Sequence, residues 1–128
     1  MDHVSNMLIG IKNANRALRE NVVFPYSKFT YAIAEKLSKE GFVGALSKKT
    51  RKGRPVFEVE LLSTDRMPKV TEIKRVSKSS RRMYNGVADI KTVKNGRGVM
   101  IFSTPKGILT DKEARKEHVG GEVLFSIW

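Results

Sequence analysis

The sequence predicts an α+β fold, in which helices pack on strands in two layers. In the first half, two segments carry apolar residues at helical spacing and three segments carry strand-like patterns. In the second half the patterns are mostly those of strands, with one short helical segment. The 128 residues suit one compact unit or two small subdomains that share an interface.

The first predicted elements are a helix, a strand and a second helix. Apolar residues recur at every third or fourth position over residues 3–18, which predicts an amphipathic helix. Residues 21–25 are typical of a short strand that ends at a proline. Ser27 is a good N-cap for a helix that runs to about Glu40, and Gly41 suits the left-handed position after it. The predicted apolar stripe of this helix consists of Phe29, Ile33 and Leu37.

Two strands and a cationic segment follow. Residues 42–47 and 56–62 predict strands, and apolar and acidic residues alternate in the second of them. The segment KKTRKGR at 48–54 has five cations in seven residues and a glycine for the turn. It is either the solvated tip of a hairpin or a flexible clamp on phosphates. The order of the first half is therefore α-β-α-β-β.

The second half begins with a weaker pattern. STDRMPK at 63–69 predicts a linker, because it combines turn formers with a proline. Residues 70–76 predict a strand, and the cationic segment SKSSRRMY at 77–84 follows it. Asn85 and Gly86 form a turn signal.

The last 31 residues give a stronger pattern. Residues 98–104 predict a strand. Thr110 and Glu113 have the spacing of a capping box, which predicts a short helix through about His118. Two glycines end that helix, and residues 122–128 predict a final strand.

The charge of the chain points to a polyanionic partner. Lys and Arg total 25 against 13 acidic residues, so the net charge is +12 and the pI is near 10.2. An anionic membrane surface would favour one strongly basic amphipathic helix, whereas here the positive charge is spread along the chain. No apolar run approaches the roughly 20 residues that span a bilayer. The first residues fit neither a secretory signal nor a transit peptide.

The sequence offers little for catalysis or metal binding. Cysteine is absent, which excludes disulfides, thiol catalysis and cysteine zinc sites and is compatible with a reducing, cytosolic setting. No phosphate-binding P-loop occurs, and the GRG at 96–98 precedes a strand instead of following one. A small hydrolase centred on Ser103 and His118 is a weak alternative, since no motif ties the two residues together. We expect no enzymatic activity, no cofactor and no small-molecule substrate.

The segment STPKG at 103–107 suits the recognition of structured RNA. It presents two hydroxyls, an ammonium group and a glycine that lets a backbone approach closely. Structured RNA is read largely by shape, phosphates and 2′-hydroxyls, for which such groups are suited. The segment HVGGE at 118–122 adds exposed backbone and a carboxylate that can accept from a ribose hydroxyl or base amino group. Tyr84, beside Arg81 and Arg82, either stacks on an unpaired base or lies in the core.

Taken in order, these segments resemble the small ribosomal subunit protein S8 family over nearly the whole chain. The most specific similarity lies in a strand ending in Ser-Thr-x-Lys-Gly, followed by Thr-Asp, Glu-Ala-Arg and Val-Gly-Gly-Glu. The segments that carry the resemblance are DHVSNMLIGIKNAN at the N-terminus, FPYSK at 24–28, EGFV at 40–43, RVSKSSRRMY at 75–84, GRGVMIFSTPKGILTDKEARK at 96–116 and VGGEVLFSIW at 119–128.

The resemblance implies two small subdomains and an RNA-binding face. The N-terminal α-β-α-β-β subdomain would cover residues 1–64. The C-terminal subdomain, mostly β with a short helix, would cover 65–128 and carry the main face, which grips an irregular helix in the central domain of small-subunit ribosomal RNA. The family implies a set of contact residues in the C-terminal subdomain: Ser103, Thr104, Lys106, Gly107, Gly120, Gly121 and Glu122, with Tyr84 and Arg82 nearby. It implies phosphate contacts in the N-terminal subdomain at Lys12, Asn13, Ser27 and Lys28.

The family also implies partners and a location. The protein would support assembly and stability of the small ribosomal subunit and contact neighbouring protein S5. It would lie in the cytoplasm as part of the ribosome, with an organelle ribosome left open. Some family members bind their own messenger RNA, on which this sequence says nothing. A general nucleic-acid chaperone acting by charge alone remains the alternative.

The chain departs from the family pattern at two places. Pro105 stands where members commonly have serine, which removes a hydroxyl and a backbone N–H and stiffens the loop. Ser79 and Ser80 replace a common Pro-Gly, so the turn before Arg81 is less certain. Residues 85–95 match poorly, and no site is assigned there.

Overall fold

The computed structural model describes residues 3–78, 81–86 and 98–128. Within them the chain forms two compact units, Met1–Thr71 and Glu72–Trp128. The fold is α+β, with helices on antiparallel sheets, as the sequence predicts. Three features of the sequence lie outside the described residues: Ser79-Ser80, where the chain departs from the family pattern, Gly96-Arg97 of the GRG segment, and most of the poorly matched 85–95 segment.

The N-terminal unit follows the predicted order. Its elements are α1 (His3–Arg16), β1 (Asn21–Pro25), α2 (Lys28–Lys39), β2 (Leu46–Arg51), β3 (Arg54–Glu60), β4 (Ser63–Thr64) and β5 (Met67–Pro68). β3 is the middle strand of an antiparallel sheet ordered β1-β3-β2. The core forms where α1 and α2 bury Ile11, Ile33 and Leu37 and β3 buries Phe57 and Val59.

Helix α2 begins and ends as local chemistry dictates. Ser27 caps α2: its hydroxyl accepts the backbone N–H of Thr30 at 3.2 Å. Gly41 follows the helix with φ +83°, the left-handed conformation that favours glycine. The predicted apolar stripe needs one correction, because Phe29 is exposed and Ala34 is buried instead.

The cationic segment is strand and not loop, which corrects the predicted limits. β2 begins at Leu46, four residues later than predicted, and runs through Lys48 and Lys49 to Arg51. Phe42 and Val43 are buried but lie before the strand, so their apolar character shifted the prediction. The turn is only Lys52-Gly53, between Arg51 and its partner Arg54.

The predicted linker is also structured. Ser63–Thr64 and Met67–Pro68 pair as a short hairpin, with Asp65 and Arg66 at positive φ in its turn. The buried Asn15 side chain donates to the carbonyl of Leu62 and accepts the N–H of Val70, each at 2.9 Å. These bonds hold the segment in the N-terminal unit, whose limit therefore lies a few residues beyond the 64/65 position.

The C-terminal unit is mostly β with one short helix. Its elements are β6 (Ile73–Arg75), β7 (Tyr84–Asn85), β8 (Val99–Thr104), β9 (Gly107–Thr110), α3 (Asp111–Lys116) and β10 (Gly121–Ile127). In the described part of the chain, the sheet order is β6-β10-β8-β9, and β7 also pairs with β10. α3 packs on this sheet through Ala114, which lies in a cluster with Phe102 and Val123.

Three predictions in this unit hold, two need correction, and one strand was not predicted. Thr110 and Glu113 form the predicted capping box, and β8 and β10 lie where predicted. The strand expected at 70–76 is limited to β6, and Asn85 belongs to strand β7 instead of a turn. The segment after the Ser-Thr-Pro-Lys turn forms the strand β9, which the sequence pattern did not indicate.

Candidate nucleic-acid interface

Three polar residues from three strands form a row at one end of the C-terminal sheet. Ser103 on β8 is the register partner of Glu122 on β10, and Glu122 is the partner of Tyr84 on β7. Residues directly opposite each other in an antiparallel sheet project from the same face. The row Tyr84–Glu122–Ser103, called the polar row below, therefore brings together segments 19 and 38 residues apart in the chain.

Ser103 is half-buried, and its hydroxyl has no hydrogen bond within the residues that the structure describes. It stands between Glu122 on one side and Ile108 of β9 on the other. A hydroxyl held on a strand can both donate and accept, and this one keeps both capacities for a ligand.

Thr104 differs from Ser103 because its hydroxyl is used inside the turn. It donates to the carbonyl of Gly107 at 2.8 Å and accepts the N–H of Lys106 at 3.1 Å. Gly107 has φ +110°, which favours glycine at this position. Pro105 at the first corner suits the turn, because its ring presets φ. Thr104 thus shapes the turn, and one acceptor lone pair remains for an outside donor.

Lys106 is the exposed cation of the turn. Its Nζ lies 3.3 Å from Oε2 of Glu117 just after α3, and both side chains are about half exposed. Exposed pairs of this kind contribute about 0–1 kcal/mol. Lys106 can therefore exchange Glu117 for a phosphate at little cost.

Glu122 has internal partners that the sequence did not indicate. Its carboxylate accepts the hydroxyl of Ser77, and Arg82 Nη1 lies 3.0 Å and 3.3 Å from its two oxygens. The Glu122 side chain is only 14% exposed, whereas that of Arg82 is 57% exposed. The carboxylate thus holds the guanidinium at the edge of the sheet, and Arg82 is the more accessible member of the pair.

Ser77 is the residue that sequence reasoning missed. It is fully buried; its hydroxyl donates to Glu122 and accepts the backbone N–H of Met83 at 3.2 Å. The bulge in β10 assists, since the carbonyl of Leu124 accepts the N–H of Val76 and of Ser77. No local pattern marks Ser77, because its partner Glu122 lies 45 positions away.

Gly120 and Gly121 have a structural reason to be glycine. A Cβ on Gly121 would lie 2.2 Å from the carbonyl oxygen of Ser103, and one on Gly120 would lie 2.3 Å from that of Asn85. Contacts under 3.0 Å essentially never occur for real Cβ atoms. Both glycines therefore let β10 approach the strands that carry Ser103 and Tyr84.

Tyr84 projects from β7 with 65% of its surface exposed, so it is not a core residue. Sharing a face with Ser103, its ring offers a flat apolar surface to a ligand that contacts the polar row.

The N-terminal candidates for phosphate contact differ in whether their polar groups already have partners inside the protein. The Ser27 hydroxyl is committed to the α2 cap and to a hydrogen bond of 2.6 Å with the Thr30 hydroxyl. Lys28 and Asn13 are exposed, and Lys12 is half-buried. Asn13 lines an open groove of about 710 Å³ whose other polar side chains are Arg19, Asn21, Arg51 and Glu58.

The described residues offer no site for metal chemistry or a membrane span. Residues 3–78, 81–86 and 98–128 contain no cluster of three or more potential metal ligands among His, Asp and Glu. None of the helices in this part of the chain combines the length and apolar character that crossing a bilayer requires.

Comparison with known proteins gives one family. The family described as Ribosomal protein S8 matches residues 2–128. The small ribosomal subunit protein uS8 of Caulobacter vibrioides is 42% identical over 128 residues, which cover 99% of this chain and 97% of the relative. The uS8 of an Azoarcus strain is 42% identical over 123 residues, covering 96% and 94%. The uS8 of a Bradyrhizobium strain is 40% identical over 128 residues, covering 99% and 97%.

Proposed function

Because the chain belongs to the ribosomal protein S8 family, we propose that it binds small-subunit ribosomal RNA directly, at a helix of the central domain. Binding there supports assembly and stability of the small ribosomal subunit. The protein acts as a non-enzymatic component of the cytoplasmic ribosome and contacts neighbouring ribosomal proteins, S5 among them.

The observation that carries this proposal is the polar row beside the Pro105-Lys106 turn. One end of one sheet presents the Ser103 hydroxyl, which bonds to none of the described residues, the exposed ring of Tyr84 and a guanidinium held by Glu122. A hydroxyl suits a ribose or base edge, a ring suits an unstacked base, and a guanidinium suits a phosphate.

The mechanism is recognition by a surface that is already formed. The polar row and the turn are held by backbone pairing between β7, β8, β9 and β10, so little ordering is needed when RNA binds. Cations outside the row, including Lys106, neutralise phosphates around it. With a net charge of +12, binding weakens steeply with salt, by on the order of a thousandfold between low and moderate ionic strength if about six phosphates are engaged.

Footprinting of the purified protein on small-subunit ribosomal RNA tests the proposal. We expect protection of one internal helix of the central domain, resistant to competition by unrelated RNA and duplex DNA. Ser103→Ala tests the row, with Ser63→Ala as the matched control because Ser63 is an exposed serine on the hairpin strand β4.

The proposal has two clear ways to fail. Equal competition by unrelated nucleic acids would indicate binding by charge alone. Equal affinity of the Ser103→Ala and parent proteins for the protected helix would exclude the polar row as the recognition element.

A further inference from the structure

Among the described strands, β2 has no neighbour on its outer edge, and it carries none of the residues of the polar row. It is the outer strand of the β1-β3-β2 sheet, and its residues from Ser47 to Arg51 are all exposed. The backbone N–H of Tyr26 donates to the carbonyl of Pro55, so Pro55 directs its backbone towards β1. Its partner on β2 is Thr50, whose N–H and C=O therefore point away from the sheet.

The same alternation applies along the strand. Lys48 and Leu46 lie two and four residues before Thr50, so their backbone groups also point outward. The edge thus offers three N–H and three C=O groups in strand register over Leu46–Thr50. The opposite edge of the sheet is less suited to pairing, because β1 ends in Pro25, which has no N–H.

The two faces beside this edge have different chemistry. On one face Lys49 and Arg51 project together, and Glu58 neutralises only Lys49, at 3.1 Å. On the other face the ammonium group of Lys48 lies 5.2 Å from the ring centre of Tyr26 and 4.8 Å from that of Tyr31. A shallow hollow of about 340 Å³ lies beside these residues, lined by Tyr26, Lys48, Lys49, Thr50, Pro55 and Val56.

We propose that the β2 edge binds an extended acidic segment of a partner protein, which adds a strand to the sheet beside Leu46–Thr50. The main chain of that segment pairs with the outward N–H and C=O groups of Leu46, Lys48 and Thr50. Its acidic side chains lie beside Lys49 and Arg51, and the alternating side chains, aromatic or apolar, enter the hollow at Tyr26 and Pro55.

The arrangement of charge favours a protein strand of this kind. Lysines on an exposed edge oppose pairing between two copies of the same strand, since like charges would then face each other. The same lysines attract the carboxylates of an acidic strand. RNA phosphates can only accept hydrogen bonds, so they would pair with the outward N–H groups alone, whereas an added strand pairs with both the N–H and the C=O groups.

The test uses a labelled heptapeptide that alternates glutamate with tyrosine or threonine, measured by fluorescence anisotropy with the whole protein. Thr50→Pro removes an outward N–H that takes no part in the β2–β3 ladder, and Thr50→Val is the matched control that keeps this N–H. We expect Thr50→Pro to weaken binding about tenfold and Thr50→Val to change it less than about twofold. Thermal unfolding of both variants verifies that the sheet is intact.

Two further peptides keep the proposal falsifiable even if Thr50→Pro unfolds. A peptide N-methylated at alternate residues keeps its charge but cannot pair as a strand, and we expect it to bind at least about tenfold more weakly. Equal binding of the methylated or of a scrambled peptide overturns the proposal in favour of charge alone. Binding of oligouridylate that survives Thr50→Pro and is lost in Lys49→Gln, with no peptide binding, would assign this edge to nucleic acid and also overturn it.

Discussion

The two sides of the polar row use similar residues for opposite purposes. On the β7 side, Ser77, Glu122 and Arg82 satisfy one another, and Ser77 is fully buried. On the β8 side, the Ser103 hydroxyl has no partner within the described residues, and Lys106 is exposed with one weak ion pair. The comparison teaches that a serine or a glutamate in a binding motif can serve either to build the surface or to contact the ligand. The burial of a side chain and its internal hydrogen bonds distinguish a residue that builds the surface from one that contacts the ligand.

Gly121→Ala gives the largest expected effect, on the side that builds the surface. The new methyl group would overlap the carbonyl of Ser103 at 2.2 Å, so β10 and β8 must separate. We expect the free energy of unfolding to fall by about 2–4 kcal/mol in a denaturant titration. The control is Gly107→Ala, where a Cβ has open space and only φ +110° is strained, with an expected loss of about 1 kcal/mol. Equal losses would mean that close strand approach is not the constraint.

Ser77→Ala gives the second-largest expected effect. It leaves the backbone N–H of Met83 without its side-chain acceptor and removes one donor from Glu122. We expect a loss of about 1–3 kcal/mol in unfolding free energy, together with weaker RNA binding because Arg82 is less well held. Ser77→Thr, which keeps the hydroxyl, should restore RNA affinity more than stability. Unchanged RNA affinity in a folded Ser77→Ala protein would show that the network does not position the surface.

Ser103→Ala and Thr104→Ala separate the two hydroxyls of the turn. The first removes a hydroxyl that has no hydrogen bond to any described residue, so we expect about 1–1.5 kcal/mol of RNA affinity to be lost with stability unchanged. The second removes two bonds of the turn, so we expect about 0.5–1.5 kcal/mol of stability to be lost as well. Parallel filter-binding and thermal-unfolding measurements distinguish them. An equal loss of stability in both variants would contradict the assignment of a structural role to the Thr104 hydroxyl alone.

Lys106→Gln has the smallest expected effect. Its ion pair with Glu117 is half exposed, so stability should change by less than about 0.5 kcal/mol. RNA affinity should fall by about 1 kcal/mol, and the slope of log affinity against log salt should decrease by about one. An unchanged salt slope would exclude Lys106 from phosphate contact.

What the sequence predicted well rests on local interactions. The N-cap at Ser27 and the capping box at Thr110 depend on residues three positions apart, and the apolar spacing of α1 reports its buried side. The order α-β-α-β-β was predicted for the same reason.

What the sequence did not predict depends on contacts between distant segments. β2 carries cations on both faces because it is an exposed edge, so its polarity indicated a loop. The two-residue strands β4 and β5 are too short to show a periodic pattern. The role of Ser77 and the packing of Gly120 and Gly121 appear only when β7, β8 and β10 are brought together.

The position of β10 in its sheet has a consequence for biosynthesis. Among the described strands, β6 and β7 pair only with β10, although both precede it in the chain. During translation neither can take its place in the sheet until residues 121–127 have left the exit tunnel of the ribosome. All strands of the N-terminal sheet, by contrast, are synthesised by residue 60. The N-terminal unit can therefore fold on the nascent chain, while the polar row forms last, in one cooperative step.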